Sequence, residues 1–191
     1  MRNIENKKDS KLNKKILVIA LIVLMASSTI GFIIGFGQNN NPKDEKLNYN
    51  GIDFVVNQNG LWEFKINGNV FSTVYNPYEL GEIPLNITIS SRDLLNKPLY
   101  YVVENANNLN AINEIIRNIN VFIQRSQEVC LNAEFCRNKD LILKDCSNNI
   151  IILKNSKDIK IYKDQNCIFI ESPLEDQLKI GDKLIFKIAG V

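Results

Sequence analysis

Histidine is absent from the 191-residue sequence, and this absence narrows the chemistry that the chain can carry out. Imidazole is the commonest general base and a usual zinc ligand, and it titrates near neutral pH without help from its surroundings. A Ser-His-Asp triad is therefore excluded. The nucleotide-binding glycine loops, the G-x-S-x-G elbow and the Ser-x-x-Lys motif are missing as well. No sequence motif thus identifies a catalytic site or a cofactor.

An excess of basic charge is confined to the N-terminus. Six of the 23 basic side chains lie within residues 1–15, together with the acidic residues Glu5 and Asp9. The rest of the chain then carries 17 basic and 19 acidic groups, a net charge of −2. Because a nucleic-acid interface needs a basic surface, we expect no nucleic-acid partner.

One long apolar run is present, and it predicts a transmembrane helix. Residues 16–36 hold 21 residues without a charge, and an α-helix of that length spans about 31 Å, close to the thickness of a bilayer's hydrocarbon core. The small residues 26–28 offer a cleaved signal peptide as the alternative, but the run continues to Phe36, which favours an uncleaved anchor. The basic flank predicts that residues 1–15 form a cytoplasmic stub.

The predicted orientation places the remainder of the chain outside the cytoplasm. Residues 37–47 are polar and contain a proline, so they predict a short linker. Residues 48–191 then form an extracytoplasmic domain of ordinary size.

Several stretches of this domain predict β-strands. Residues 49–75 indicate a β-meander, in which Asn67-Gly68 is the strongest hairpin signal because both central positions of a type I′ turn need positive φ. We expect Trp62 in the core or over one end of the sheet. Apolar runs of strand length follow at 99–103, 150–153, 159–162 and 167–170, the last two as a hairpin.

Two amphipathic helices are predicted to pack on the sheet. The first spans Ala111–Gln127, with isoleucines at three- and four-residue spacing and Glu114 and Arg117 on the opposite side. The second spans Pro173–Ala189, because residues 172–175 match a capping box and Gly190 suits the position after a helix. A hairpin that turns at residues 181–182 is the alternative for this last segment.

The cysteines are Cys130, Cys136, Cys146 and Cys167. Their spacings match neither a zinc ribbon nor a redox C-x-x-C motif. An even number of cysteines in an extracytoplasmic domain predicts two disulfides. Three pairings are formally open, and we prefer Cys130–Cys136, which closes a short loop, and Cys146–Cys167, which joins two strand ends.

Residues 86–88 form an N-x-T sequon, so Asn86 is a candidate glycosylation site if the domain lies outside the cytoplasm. A chance match is the alternative in an asparagine-rich chain.

The carboxylates Asp53, Glu63, Asp145 and Glu171 are scattered along the sequence. Two carboxylates would have to converge in space to form a glycosidase-like pair.

The order of these features resembles that of uncharacterised single-pass membrane proteins of small-genome archaea. The resemblance covers most of the chain and rests on the basic stub and membrane helix, the strand at 49–54, the N-P-Y-E-L turn at 76–80, the N-C-I-F-I-E segment at 166–171 and the terminal segment 182–191. It implies a terminal helix and disulfides in the middle of the chain. It implies no activity and no functional residue.

We therefore expect an α/β or α+β domain behind one transmembrane helix, with a mixed sheet, an N-terminal β-meander and two packing helices. The expected function is a binding or structural module of the cell envelope, held in the membrane by residues 16–36, whose partner is an envelope protein or a glycan. An anchored hydrolase that cleaves envelope polymers with carboxylates is the alternative. A third hypothesis is an accessory subunit whose membrane helix acts through Gly31 and Gly35.

Overall fold

The computed structural model describes residues 18–19, 45–104, 106–131, 136, 138 and 140–191. The predicted stub, nearly all of the predicted membrane helix and most of the linker lie outside the described residues. Within the described part, no helix has the length and apolar character needed to cross a bilayer. The elements below belong to the compact unit Asp44–Val191.

The first sheet is an antiparallel meander in the strand order β1-β2-β3-β4. Asn67 and Gly68 both have positive φ, 50° and 83°, which confirms the predicted turn between β3 and β4. Trp62 is buried at 8% exposure, as predicted. The strands are β1 (Lys46–Tyr49), β2 (Ile52–Val56), β3 (Trp62–Ile66) and β4 (Asn69–Thr73).

The second sheet is mixed, with the order β6-β5-β7-β9-β8. Its strands β6, β5, β7 and β9 run parallel, while β8 pairs antiparallel with β9. The predicted apolar runs form β5, β7 and the β8–β9 hairpin. The strands are β5 (Pro98–Val103), β6 (Arg125–Glu128), β7 (Ile150–Asn155), β8 (Lys160–Asp164) and β9 (Cys167–Ser172).

The prediction of one long helix over Ala111–Gln127 was wrong at its C-terminal end. Helix α1 is a single turn (Ser91–Leu94), whereas α2 begins at Leu109 and ends at Ile119. The chain then turns and Arg125–Glu128 pairs in parallel with β5. Backbone hydrogen bonds from Asn96 N to Phe122 O and from Gln124 N to Lys97 O, 2.8 and 2.9 Å, hold that turn against the start of β5. Backbone hydrogen bonding with β5 thus takes the place of the last turns of the predicted helix.

The terminal helix α3 (Leu174–Ala189) is present as predicted, but the predicted capping box is not formed. Ser172 is the last residue of β9 and pairs with Asn155 of β7, so its backbone is committed to the sheet. Its hydroxyl donates to Pro173 O at 3.2 Å instead. At the other end, Gly190 has φ 89° and its N–H donates to Phe186 O, which confirms the predicted glycine stop.

Helices α2 and α3 lie between the two sheets. Ile112, Ile115 and Ile180 pack with the inner face of the five-stranded sheet, whereas Ile185 and Phe186 of α3 pack with the aromatic face of the meander. A Cβ on Gly181 would lie 3.3 Å from Ile115 Cγ1, so the glycine permits close approach of the helices. The architecture is α+β, with the meander as a separate sheet.

Candidate functional site

A cleft of about 410 Å³ opens beside the first turns of α2 and α3. Helix α2 follows the carboxyl end of β5 and α3 follows that of β9. The cleft thus lies beyond the carboxyl ends of parallel strands, which is the edge at which open α/β sheets bind ligands. The cleft is lined by Tyr75, Ala106, Asn107, Asn110, Ala111, Leu174, Glu175, Gln177 and Leu178.

A buried amide network fixes one wall of this cleft. Asn108 and Gln177 are 0% and 1% exposed. The Asn108 amide donates to Asn155 Oδ1 at 2.9 Å and to Gln177 Oε1 at 2.7 Å. Gln177 Nε2 in turn donates to Lys154 O and Asn155 Oδ1, both at 3.2 Å. The network joins the starts of both helices to the end of β7, so the cleft is rigid at its base.

From the sequence alone, Asn107 and Asn108 are residues of a type that caps helix N-termini. Asn108 does occupy the N-cap position of α2, but no capping bond comes from its side chain. Its amide is used across the fold, with partners 47 and 69 residues away. Contacts of that sequence separation leave no local signal, so the network could not be predicted from spacing.

Tyr75 forms the opposite wall of the cleft and follows β4 of the meander. The Lys179 ammonium lies 5.3 Å from the centroid of its ring, at cation–π distance. The backbone N–H of Tyr75 donates to Asp182 Oδ2 at 2.9 Å. Asp182 is 0% exposed, so the backbone at Tyr75 is held by a buried group that does not line the cleft.

Asp182 and Glu114 are both buried acids, 0% and 6% exposed. The pKa of Asp182 is raised to about 7, mainly by burial and in part by the negative charge of Glu114, while the hydrogen bond from the Tyr75 backbone opposes both. Within the described residues, Asp182 Oδ1 has no hydrogen-bond partner. Burial also raises the pKa of Glu114, and the adjacent Arg117 guanidinium opposes this. The Arg117 Nη2 atom lies 2.6 Å from Glu114 Oε1.

The expectation that Glu114 faces away from the core was wrong, because the meander covers that side of α2. Glu114 is 6% and Asn118 is 4% exposed. Asn118 Oδ1 accepts from Ser72 N at 2.7 Å and its Nδ2 donates to Ser72 O at 2.8 Å. The amide thus pairs with the edge strand β4 as a neighbouring strand would, and α2 is covered on its polar side too.

The carboxylates singled out from the sequence do not line the cleft. Asp53 and Glu63 lie exposed on the meander, Asp145 is exposed in a loop, and Glu171 is half-buried on β9. Among the residues that line the cleft, Glu175 is the one carboxylate. The structure therefore buries the acids Glu114 and Asp182 and leaves the cleft lined mainly by amide and apolar groups.

The four cysteines lie in the pairs Cys130–Cys136 and Cys146–Cys167, which are the pairs preferred from the sequence. The second bridge joins the segment before β7 to the start of β9, and Cys167 is fully buried. Disulfides form and persist in oxidising compartments. They indicate an extracytoplasmic location for this part of the chain.

Asn86 is exposed, in a segment between the meander and α1 that is neither helix nor strand. It lies on the border of a different groove, which β8 helps to form.

Comparison with protein families, with curated proteins and with solved structures finds no match for this chain, so the resemblance drawn from the sequence stays a prediction.

Proposed function

We propose that residues 48–191 are a binding module of the cell envelope, anchored by residues 16–36 with the N-terminus in the cytoplasm. The paired cysteines support the extracytoplasmic location. The length and apolar character of residues 16–36 and the basic residues before them support the anchor and its orientation. The binding function rests on the cleft beside α2 and α3.

The amide-rich lining of the cleft is the observation that carries this function. Its volume of about 410 Å³ is typical of small-ligand sites, which occupy about 300–1,000 Å³. Asn110 is exposed at the first turn of α2, and an amide group offers both donors and acceptors. Hydroxyl groups need that combination, whereas a phosphate or a nucleic acid would need cations. We therefore propose an uncharged polyhydroxyl ligand, such as a short envelope glycan.

A variant that fills the cleft tests this proposal. Asn110→Trp places an indole in the cleft, and Asn113→Trp is its matched control, since Asn113 is exposed on the same helix but does not line the cleft. Full-length protein in nanodiscs is titrated calorimetrically with oligosaccharides released from the source cell's own envelope. We expect binding by the wild type and by Asn113→Trp, and at least about tenfold weaker binding by Asn110→Trp, equivalent to about 1.4 kcal/mol. Absent binding by the wild type, or an equal loss in both variants, contradicts the proposal.

The alternative of a carboxylate-dependent hydrolase receives less support. Glycoside hydrolysis uses two carboxylates on either side of the bond to be cleaved, about 5–10 Å apart. The cleft contains Glu175, while Glu114 and Asp182 are buried and do not line it. The released oligosaccharides provide the discriminating measurement. Chain shortening by the wild type that Glu175→Gln abolishes would favour the hydrolase over the binding module.

A further inference from the structure

The segment that carries the sequon alternates between core and solvent. Leu85, Ile87 and Ile89 are 8%, 5% and 7% exposed and belong to the core between the helices and the five-stranded sheet. Asn86 and Thr88 lie between them and are exposed. An extended backbone points alternate side chains to opposite sides. The amide and the hydroxyl of the sequon therefore face solvent together, and the buried neighbours hold the segment in place.

The side chain of Asn86 has no structural task within the described part of the chain. No hydrogen bond, ion pair or ring contact involves it there. Other asparagines are used differently: the side chain of Asn57 accepts from Leu61 N and that of Asn76 accepts from Tyr78 N. These residues are explained by the turns that they stabilise. The side chain of Asn86 stabilises no such turn, so its amide nitrogen is available to an external enzyme.

The groove beside the sequon is large enough for a sugar. It has a volume of about 550 Å³ and is bordered by the edge strand β8. Lys163 Nζ donates to Thr88 O at 3.3 Å, which ties the sequon backbone to that strand. Polar residues surround the opening, so a first sugar on Asn86 would meet hydrogen-bonding groups. The border consists of Asn86, Ile87, Thr88, Asp93, Ile161, Tyr162, Lys163 and Gln165.

We infer that Asn86 is an N-glycosylation acceptor and that the proximal sugar lies along the edge of β8. The inference rests on the proposed extracytoplasmic location. The donor is a lipid-linked oligosaccharide phosphate. The Asn86 amide nitrogen attacks the anomeric carbon, a C–N bond forms, the C–O bond to the phosphate breaks, and the amide proton leaves as the lipid phosphate departs. The glycan also shields an edge strand, a surface that otherwise invites pairing between molecules.

Mass spectrometry of the full-length protein from the membranes of its source cell tests the inference. Trypsin releases residues 66–92, in which Asn86 is the one sequon asparagine. We expect a hexose-containing mass increment on this peptide that disappears in Asn86→Gln and Thr88→Ala and is retained in Thr88→Ser, which keeps the hydroxyl. All four proteins should unfold at the same temperature, because both side chains are exposed.

Mapping of the cysteines in the same digest separates a failure of the glycosylation from a failure of the proposed location. An unmodified peptide together with both disulfides overturns the glycosylation and leaves the location standing. An unmodified peptide together with free thiols overturns the location, on which the proposed function also depends. An increment that survives in Asn86→Gln lies on another residue and overturns the assignment to Asn86.

Discussion

The buried carboxylate of Asp182 predicts that the domain loses stability as the pH rises through neutrality. Its pKa is about 7 in the folded protein, against 3.8 for the free side chain. Between these pH values the folded state binds a proton that the unfolded state has already released. The free energy of unfolding therefore falls as the pH rises from about 4 to about 7, and it levels off above the folded pKa. Below pH 4 both states are protonated, so the stabilisation is complete there.

The expected size of this loss follows from the pKa difference. Each pKa unit corresponds to about 1.4 kcal/mol, so the difference between 3.8 and about 7 corresponds to about 4 kcal/mol in total. Asp182→Asn removes the buried charge but keeps an oxygen that can accept from Tyr75 N. We expect the variant to be more stable than the wild type above pH 7, with most of the decline between pH 4 and 7 abolished. The remaining slope belongs to Glu114, whose pKa burial also raises.

Urea unfolding measures this effect through the single tryptophan, since Trp62 is buried in the meander. Midpoints are collected for the full-length protein at half-unit steps from pH 4 to 8.5. Glu63→Gln is the matched control, because Glu63 is an exposed acid on β3, and its curve should run parallel to that of the wild type. Parallel curves for the wild type and Asp182→Asn would refute the reasoning, because they would show that Asp182 is ionised throughout.

Two further predictions concern contacts that hold the layers together. Asn118→Ala leaves the Ser72 N–H and C=O without their side-chain partners. It should lower the free energy of unfolding by about 2–3 kcal/mol. Faster hydrogen exchange at the Ser72 amide checks this prediction, and unchanged protection would contradict it. Replacing both Cys146 and Cys167 by serine opens a loop with a sequence separation of 21. In the chain-entropy model this should lower the free energy of unfolding by about 3 kcal/mol. An unchanged urea midpoint under non-reducing conditions would exclude that contribution.

The elements predicted correctly are those whose signal is local. The Asn67-Gly68 turn follows from the φ angles that its residues tolerate, and α3 follows from helical periodicity ended by Gly190. The strand β6 could not be predicted in this way, because Arg125–Glu128 has no apolar alternation and three of its residues are exposed. Only its backbone pairing with β5 makes it a strand. That pairing depends on where a separate segment of the chain lies.

The cleft and its supports likewise depend on contacts between distant parts of the chain and could not be predicted from local patterns. Glu114 is buried because the meander covers its face of α2. That face would be exposed to solvent if α2 packed on the five-stranded sheet alone. Asn108 is a satisfactory N-cap residue by local rules, and nothing near it in sequence indicates that its amide reaches Gln177. Burial of a polar group is a property of the assembled layers, whereas periodicity reports only one helix or strand at a time.

Directional contacts at the end of β4 explain how the meander keeps one position on the helices. The apolar interface between them is aromatic, with Phe186 packed edge-on against Phe54, and hydrophobic burial alone has no direction. Asn118 pairs with Ser72, and Asp182 accepts from Tyr75 three residues later. A slip of one residue would leave these buried groups unpaired, at a cost of about 1–3 kcal/mol for each. Because Tyr75 is also a wall of the cleft, the contacts that fix the sheet also fix the shape of the proposed binding site.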